Sequence, residues 1–238
     1  MNTPTLRWQT AAASLGLLIS LLWFELTPTD MWLQSLFFRP GPQQWLWNGE
    51  EAIARTVLYT GIKQVLVVFG IGLIALLIAS LKVNALRQYR RGLRIMVLSL
   101  ILVPACIGGL KAISNVACPR VLTEFGGAIP YAGIFGTPTT TTTKAFPQQR
   151  CFPAGHASGG FALLALPFLF SRPRHRKQAL AAALGIGWTM GTYKMVIGDH
   201  FLSHTVVTML LAWLIVCLIA LAEQRIYPQK ARVDSIQH

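Results

Sequence analysis

Between positions 194 and 204 the chain reads K-M-V-I-G-D-H-F-L-S-H, which sets Lys194, Asp199, His200 and His204 between two long apolar runs. An ionisable side chain at membrane depth costs roughly 2 to 4 kcal/mol, so such a cluster points to a functional site. At helical spacing His200 and His204 share one face as an i, i+4 pair, and one imidazole can touch the other. Gly198 permits a sharp break just ahead of them. Two more polar groups stand out: Lys111 with Arg120, and His156 inside C-F-P-A-G-H. Cations with histidines describe an anion site, and backbone N–H groups at Ala154, Gly155 and His156 add donors if a helix starts there. Cleaving a phosphate ester needs a nucleophile, an acid for the leaving oxygen and cations for the phosphoryl oxygens, and this set supplies all three.

The elements that must position these residues are apolar helices. Of 238 residues 53% are hydrophobic and only 12% charged, against about 25% charged in soluble domains. Six apolar segments, at 10–26, 58–81, 95–113, 157–170, 179–197 and 205–221, match or approach the roughly 20 residues a bilayer requires. The fold class expected is therefore all-α: one polytopic membrane-embedded domain over 1–238, with a motif core at 95–221, N-terminal helices and an outer interfacial segment within 1–94, and a cytoplasmic tail at 223–238. The N-terminal run lacks a small-x-small cleavage site and reads as a retained helix.

The formal charge of +13 would suggest nucleic acid in a soluble protein. Here the basic residues cluster in short segments, Lys82 to Arg94 and Arg172 to Lys177, with Arg7 and the tail residues Arg225, Lys230 and Arg232. With six helices all of these fall on one side, which the positive-inside rule makes cytoplasmic, both termini included. The opposite, periplasmic face of a bacterial inner membrane receives three connections, 27–57, 114–156 and the short turn 198–204. Lys111, Arg120, His156, Lys194, His200 and His204 all converge there. The first connection carries Trp32, Trp45 and Trp47 with Phe37 and Phe38, rings that favour the membrane interface. The second is punctuated by Gly and Pro, so no long element is expected, and the run Thr139 to Thr143 reads as mobile. Cys118 and Cys151 both lie in this connection, and an oxidising compartment favours their pairing, worth about 3 to 4 kcal/mol in the chain-entropy picture. Cys106 and Cys217 sit in apolar helices.

The spacing of K-A-I-S-N-V-A-C-P-R from Lys111, C-F-P-A-G-H ending at His156, and Y-K-M-V-I-G-D-H-F-L-S-H resembles the three motifs of the type 2 phosphatidic acid phosphatases. The resemblance implies that His200 attacks phosphorus to give a phosphohistidine, that His156 protonates the leaving group, and that Lys111 and Lys194 grip the phosphoryl oxygens, with no metal and no other cofactor. Four positions depart from the pattern. Cys118 replaces an arginine, with Arg120 two positions on as a substitute. Ala154 replaces a serine but keeps its N–H, and Lys194 replaces an arginine and loses the bidentate fork. His204 replaces the aspartate that would orient the nucleophile; a neutral imidazole can still accept a hydrogen bond from His200 but brings no negative charge.

The expected function is hydrolysis of a membrane lipid phosphate or diphosphate of the prenyl diphosphate, phosphatidylglycerol phosphate, phosphatidic acid or lipid A type. A phosphotransferase using the same intermediate, and a lipid or anion transporter, are the alternatives. A transporter places such groups near the midplane rather than at helix ends. A zinc site from Asp199, His200, His204 and His156 is disfavoured because the neighbouring cations repel a dication.

Overall fold

The computed structural model describes residues 3–41, 45–52, 55–136 and 146–228. The threonine run and the basic tail residues Lys230 and Arg232 lie outside them. Among the described residues the regular structure is helical, apart from two isolated β-bridges. Seven α-helices lie wholly within the described residues: α1 Thr3–Leu26, α2 Thr29–Phe37, α3 Ile62–Lys82, α4 Arg90–Ile113, α5 Gly155–Ala162, α6 Pro173–Val196 and α7 Leu202–Ile226. A π-helical stretch, Arg55–Gly61, leads into α3, and 3-10 turns over Asn84–Tyr89 lead into α4.

The sequence predicts six membrane spans. Among the described residues four helices are long and apolar enough to cross a membrane: Thr3–Leu26, Arg55–Lys82, Asn84–Ile113 and Leu202–Ile226. The other two expected spans differ for physical reasons. Helix α6 has the length, but beyond its basic first turns it still carries Thr189, Thr192, Tyr193 and Lys194 among its apolar residues, which lower its apolarity. The apolar segment Gly155–Leu169 is short, and its α-helix gives way after Ala162 to 3-10 turns over Leu163–Leu169, which contain Pro167. Proline has no N–H to return to the carbonyl four residues back, which removes one α-helical bond here; α4 passes through Pro104 without leaving α-geometry, so Pro167 contributes to the change without being sufficient for it. The tighter helix rises about 2.0 Å per residue instead of 1.5 Å, and it stretches these residues to about 26 Å, close to the hydrocarbon thickness.

Helix α5 is the centre of the bundle, packed on α4, α6 and α7. It fits because both sides are small: a Cβ on Gly160 would lie 2.7 Å from the Cα of Gly187 on α6. The core joins Ile95, Met96, Val103 and Ile107 of α4 to Phe161, Leu163 and Leu164, and to Ala212 and Val216 of α7. Helix α1 packs along α7, and α3 along α4. Outward, α3 leaves Val67, Val68 and Ile71 exposed, and α1 leaves Leu18, Ile19 and Leu22 exposed, as a lipid-facing surface would be.

The two ends of the bundle differ in chemistry. At one end Arg94 of α4 makes a two-pronged hydrogen bond to Glu223 of α7, at 2.9 and 3.0 Å, and lies over the Tyr227 ring. At the other, about 36 Å along α4, lie the loops after α1, α4 and α6. There Phe38, Trp45 and Phe125 stack at 5.3 to 5.5 Å, with Phe201 against Tyr131. Glu25, at the end of α1, accepts the N–H groups of Ile134 and Phe135 and so ties the connection 114–136 to the bundle.

Candidate active site

Three separate stretches meet at this aromatic end, stitched by backbone hydrogen bonds. Arg120 N donates to Gly198 O at 3.0 Å, Cys151 N to Val116 O at 3.0 Å, and Ala154 N approaches His204 O at 3.3 Å. Cys118 and Cys151 are joined as a disulfide, with Cα atoms 5.3 Å apart, which fastens the 3-10 turn Pro119–Val121, and Arg120 with it, to the segment entering α5.

His200 occupies the turn between α6 and α7. That turn forms because Gly198 adopts φ +76°, a left-handed conformation open to glycine, directly beneath the Trp45 indole. The chain then re-enters a helix at Leu202, which places His204 in the first turn of α7. The two imidazoles meet Nδ1 to Nδ1 at 3.3 Å. Between neutral rings this contact holds one proton, so one ring donates and the other accepts. His200 is buried, and burial followed by the charges of Lys111 and Lys194 pushes its imidazole down to about 3. At neutral pH it is uncharged. Its Nδ1 is engaged by His204, which leaves Nε2 outside that contact. His204 does not line the cleft; it stands behind His200, walled by Phe152 and Phe201 with ring centroids at 5.4 Å.

His156, the second residue of α5, faces the same cleft with Nε2 3.4 Å from the carbonyl of Leu58. The tip of Lys111 lies against this helix start, since a Cβ on Gly155 would stand 3.7 Å from Lys111 Nζ. The N–H of Ala154 does not serve as expected. It donates to the Thr208 hydroxyl at 2.8 Å, and that hydroxyl in turn donates to His204 O at 2.7 Å. Ala154 is fully buried, so the Thr208 bridge locks α5 to the histidine turn and leaves Gly155 and His156 as the helix-start donors facing the cleft.

Arg120 and Lys194, both expected as substrate cations, converge on one carboxylate. Arg120 Nη1 lies 2.9 Å from Asp199 Oδ1, and Lys194 Nζ lies 2.6 Å from Asp199 Oδ2. Lys63 of α3 and Arg150 complete the charged mouth.

Helix α2 clamps the turn from outside. Asp30 accepts the N–H of Ser203 at 2.9 Å, and Gln34 donates to Met195 O at 2.9 Å. Both side chains are buried, at 2% and 1% exposure. The Asp30 carboxylate thus caps the first turn of α7 from another helix. Burial pushes its carboxyl up to about 6, against the lowering effect of the Ser203 hydrogen bonds.

The cleft encloses about 760 Å³. Its charged end holds Lys63, Lys111, Arg120, Lys194, His156 and His200; its apolar end runs between α3 and α4 past Leu66, Gly70, Ile74, Leu100 and Pro104. Of the expected residues, Lys111, Arg120, Gly155, His156, Lys194 and His200 line the cleft, with Cys118 and Cys151, while His204 and Ala154 stand behind it; sequence reasoning missed Lys63, Asp30, Gln34 and Thr208. A lysine in the first turn of an apolar helix is a visible signal. Asp30 and Gln34 carry none, because their partners lie 173 and 161 positions away. Among the described residues no three His, Cys, Asp or Glu side chains gather as a metal site.

No curated protein and no solved structure matches the chain. Residues 92–227, from the start of α4 to just beyond the end of α7 and including every histidine and cation of the site except Lys63, match the family described as the PAP2 superfamily. The chain belongs to the PAP2 superfamily.

Proposed function

We propose that the protein is an integral membrane lipid phosphatase, one membrane-embedded domain with six spans, that hydrolyses a lipid phosphate or diphosphate through a phosphohistidine on His200. Family membership supports phosphatase chemistry on lipid-type phosphates. The observation that carries the lipid reading is the cleft itself. A cation and histidine cluster at one end is continuous with an apolar trough between α3 and α4, whose walls include Val67, Ile71, Ile74 and Ile101. These wall residues are exposed on the outside of the bundle. A headgroup phosphate at the charged end lets a hydrocarbon chain lie in the trough without crossing polar surface.

The chemistry follows from the geometry. His200 Nε2 attacks phosphorus while Lys111, Lys194 and Arg120 hold the phosphoryl oxygens, and the bond from phosphorus to the ester oxygen breaks. His156 gives its proton to the departing oxygen, then takes one from water as that water attacks phosphorus and breaks the P–N bond. Inorganic phosphate leaves, His200 returns to neutral, and His156 returns to the imidazolium form in which it began the cycle. His204, through Nδ1, holds His200 in the tautomer that keeps Nε2 unprotonated. With the basic ends of α4 and α6 on the cytoplasmic side, the cleft opens to the periplasmic face of a bacterial inner membrane.

The test is release of inorganic phosphate from a panel of lipid phosphates and diphosphates by detergent-purified protein in EDTA, beside His200→Ala. Release by the wild type and a fall of at least about 10³-fold in the variant is the expected result. Phosphate passed between lipids without reaching water would make the protein a phosphotransferase, and no turnover of any lipid would end the enzymatic reading.

A further inference from the structure

The charged end of the cleft is not an empty bed of cations. Five basic side chains line it, Lys63, Lys111, Arg120, Arg150 and Lys194, together with one carboxylate, Asp199. That carboxylate sits between two of the groups that would grip a phosphoryl oxygen, 2.9 Å from Arg120 and 2.6 Å from Lys194. Its placement is fixed by backbone: Asp199 N donates to Lys194 O at 2.8 Å, and Arg120 N donates to the carbonyl of Gly198 at 3.0 Å. The partners are held in the same unit, so the triad is built into the nucleophile turn.

We propose that Asp199 is a resident counter-ion of the phosphate site, which weakens the hold of Arg120 and Lys194 on phosphate and so keeps the affinity for the released product low. The inference rests on the phosphatase reading for its meaning, though not for its measurement. A phosphoryl group entering the site meets cations already neutralised in part. It must share them with the carboxylate or displace it, and either lowers affinity relative to a site without that charge. The effect is useful at the end of the cycle. Phosphate is bound by the same groups that stabilise the transition state, and a bare five-cation pocket would retain it. A carboxylate swinging back onto Arg120 and Lys194 favours release.

The experiment is titration calorimetry of inorganic phosphate into the detergent-purified full chain at fixed ionic strength. Wild type is compared with Asp199→Asn, which keeps the shape and one acceptor oxygen without the charge, and with Asp199→Glu, which keeps the charge. Asp199→Asn should bind phosphate at least about tenfold more tightly, with the gap narrowing at high salt, and Asp199→Glu should remain within about threefold of wild type. Should Asp199→Asn fail to fold, Asp199→Ser reads the same change. Equal or weaker binding by the neutral variants would overturn the proposal and make Asp199 a scaffold for its two cations. Absence of binding by all proteins would overturn it too. Calorimetry needs no turnover. Tighter binding by Asp199→Asn in a protein that cleaves no lipid phosphate would retain the counter-ion and remove the phosphatase.

Discussion

His200 and His204 face one another through their Nδ1 atoms at 3.3 Å, so the His200 imidazole is backed by a base that carries no negative charge when neutral. A carboxylate at position 204 would accept the Nδ1–H of His200 and stabilise its charged form, raising His200 from about 3. Attack requires the neutral ring, so the acid limb of the pH–rate profile of His204→Asp should move to higher pH. On the plateau the variant should be faster by about tenfold, because the phosphoimidazolium gains a counter-charge. Coincident profiles for the two proteins would remove the tautomer role assigned to His204.

Lys111 and Lys194 should respond differently to substitution. Lys111→Met deletes the cation at the start of α5 and should lower kcat/KM by about 10² to 10³. Lys194→Arg keeps the charge and adds a planar fork able to hold Asp199 and a phosphoryl oxygen together, so it should retain activity within about tenfold. Steady-state kinetics on one lipid phosphate decides both. Equal losses would mean that Lys194 acts by shape rather than charge.

Asp30 gives a stability prediction with a definite sign. Its carboxyl is held at about 6 in the folded protein against an ordinary 3.8, so the folded state binds the proton more tightly. The stability this contributes is complete below about pH 3.8 and is lost as pH rises through about 6, a difference of about 3 kcal/mol. Asp30→Asn keeps the acceptor for Ser203 N without the titration. It should match wild type near pH 4 and melt higher at pH 7 to 8. Asp30→Ala also lacks the titration but orphans a buried N–H, so it should lie about 1 to 3 kcal/mol below Asp30→Asn at every pH. Thermal melts of the three proteins between pH 4 and 8 separate these effects, and a melting difference between Asp30→Asn and wild type that does not vary with pH would refute the shift.

Much of the bundle was legible because apolar runs of helical length have few other uses. The runs expected at 95–113 and 205–221 fall inside α4 Arg90–Ile113 and α7 Leu202–Ile226. The run at 157–170 reads equally well as an α-helix; its second half forms 3-10 turns, and Pro167 does not by itself announce them, since α4 runs through Pro104 unbroken. In the site, histidines and lysines flanked by apolar residues were visible because such residues are costly there. The bond from Ala154 N to Thr208 was not visible, since a threonine within an apolar helix has many possible partners and its choice depends on how α5 meets α7. The same holds for the two ion pairs of Asp199, which need the 3-10 turn of Arg120 folded against the His200 turn.

Gly198 should tolerate no side chain. Its φ of +76° disfavours L-residues, and a Cβ would overlap the Trp45 ring. Gly198→Ala should lose about 1 to 3 kcal/mol of stability and reduce kcat more than it changes KM, because His200 moves with the turn. Pairing it with Trp45→Ala relieves the overlap but not the backbone conformation, so recovery should be partial. Full recovery would assign the whole effect to the indole.

The clamp from α2 bears on how the protein comes into being. Asp30 is synthesised 173 positions before the Ser203 N–H that it accepts, and Gln34 likewise precedes the Met195 carbonyl by 161. Two polar side chains are therefore synthesised well before α6 and α7, whose turn they hold. A chain halted before α7 has Lys111 and His156 already made, while Asp30 still lacks the Ser203 N–H, so the clamp on the His200 turn closes only after α7 has joined the bundle.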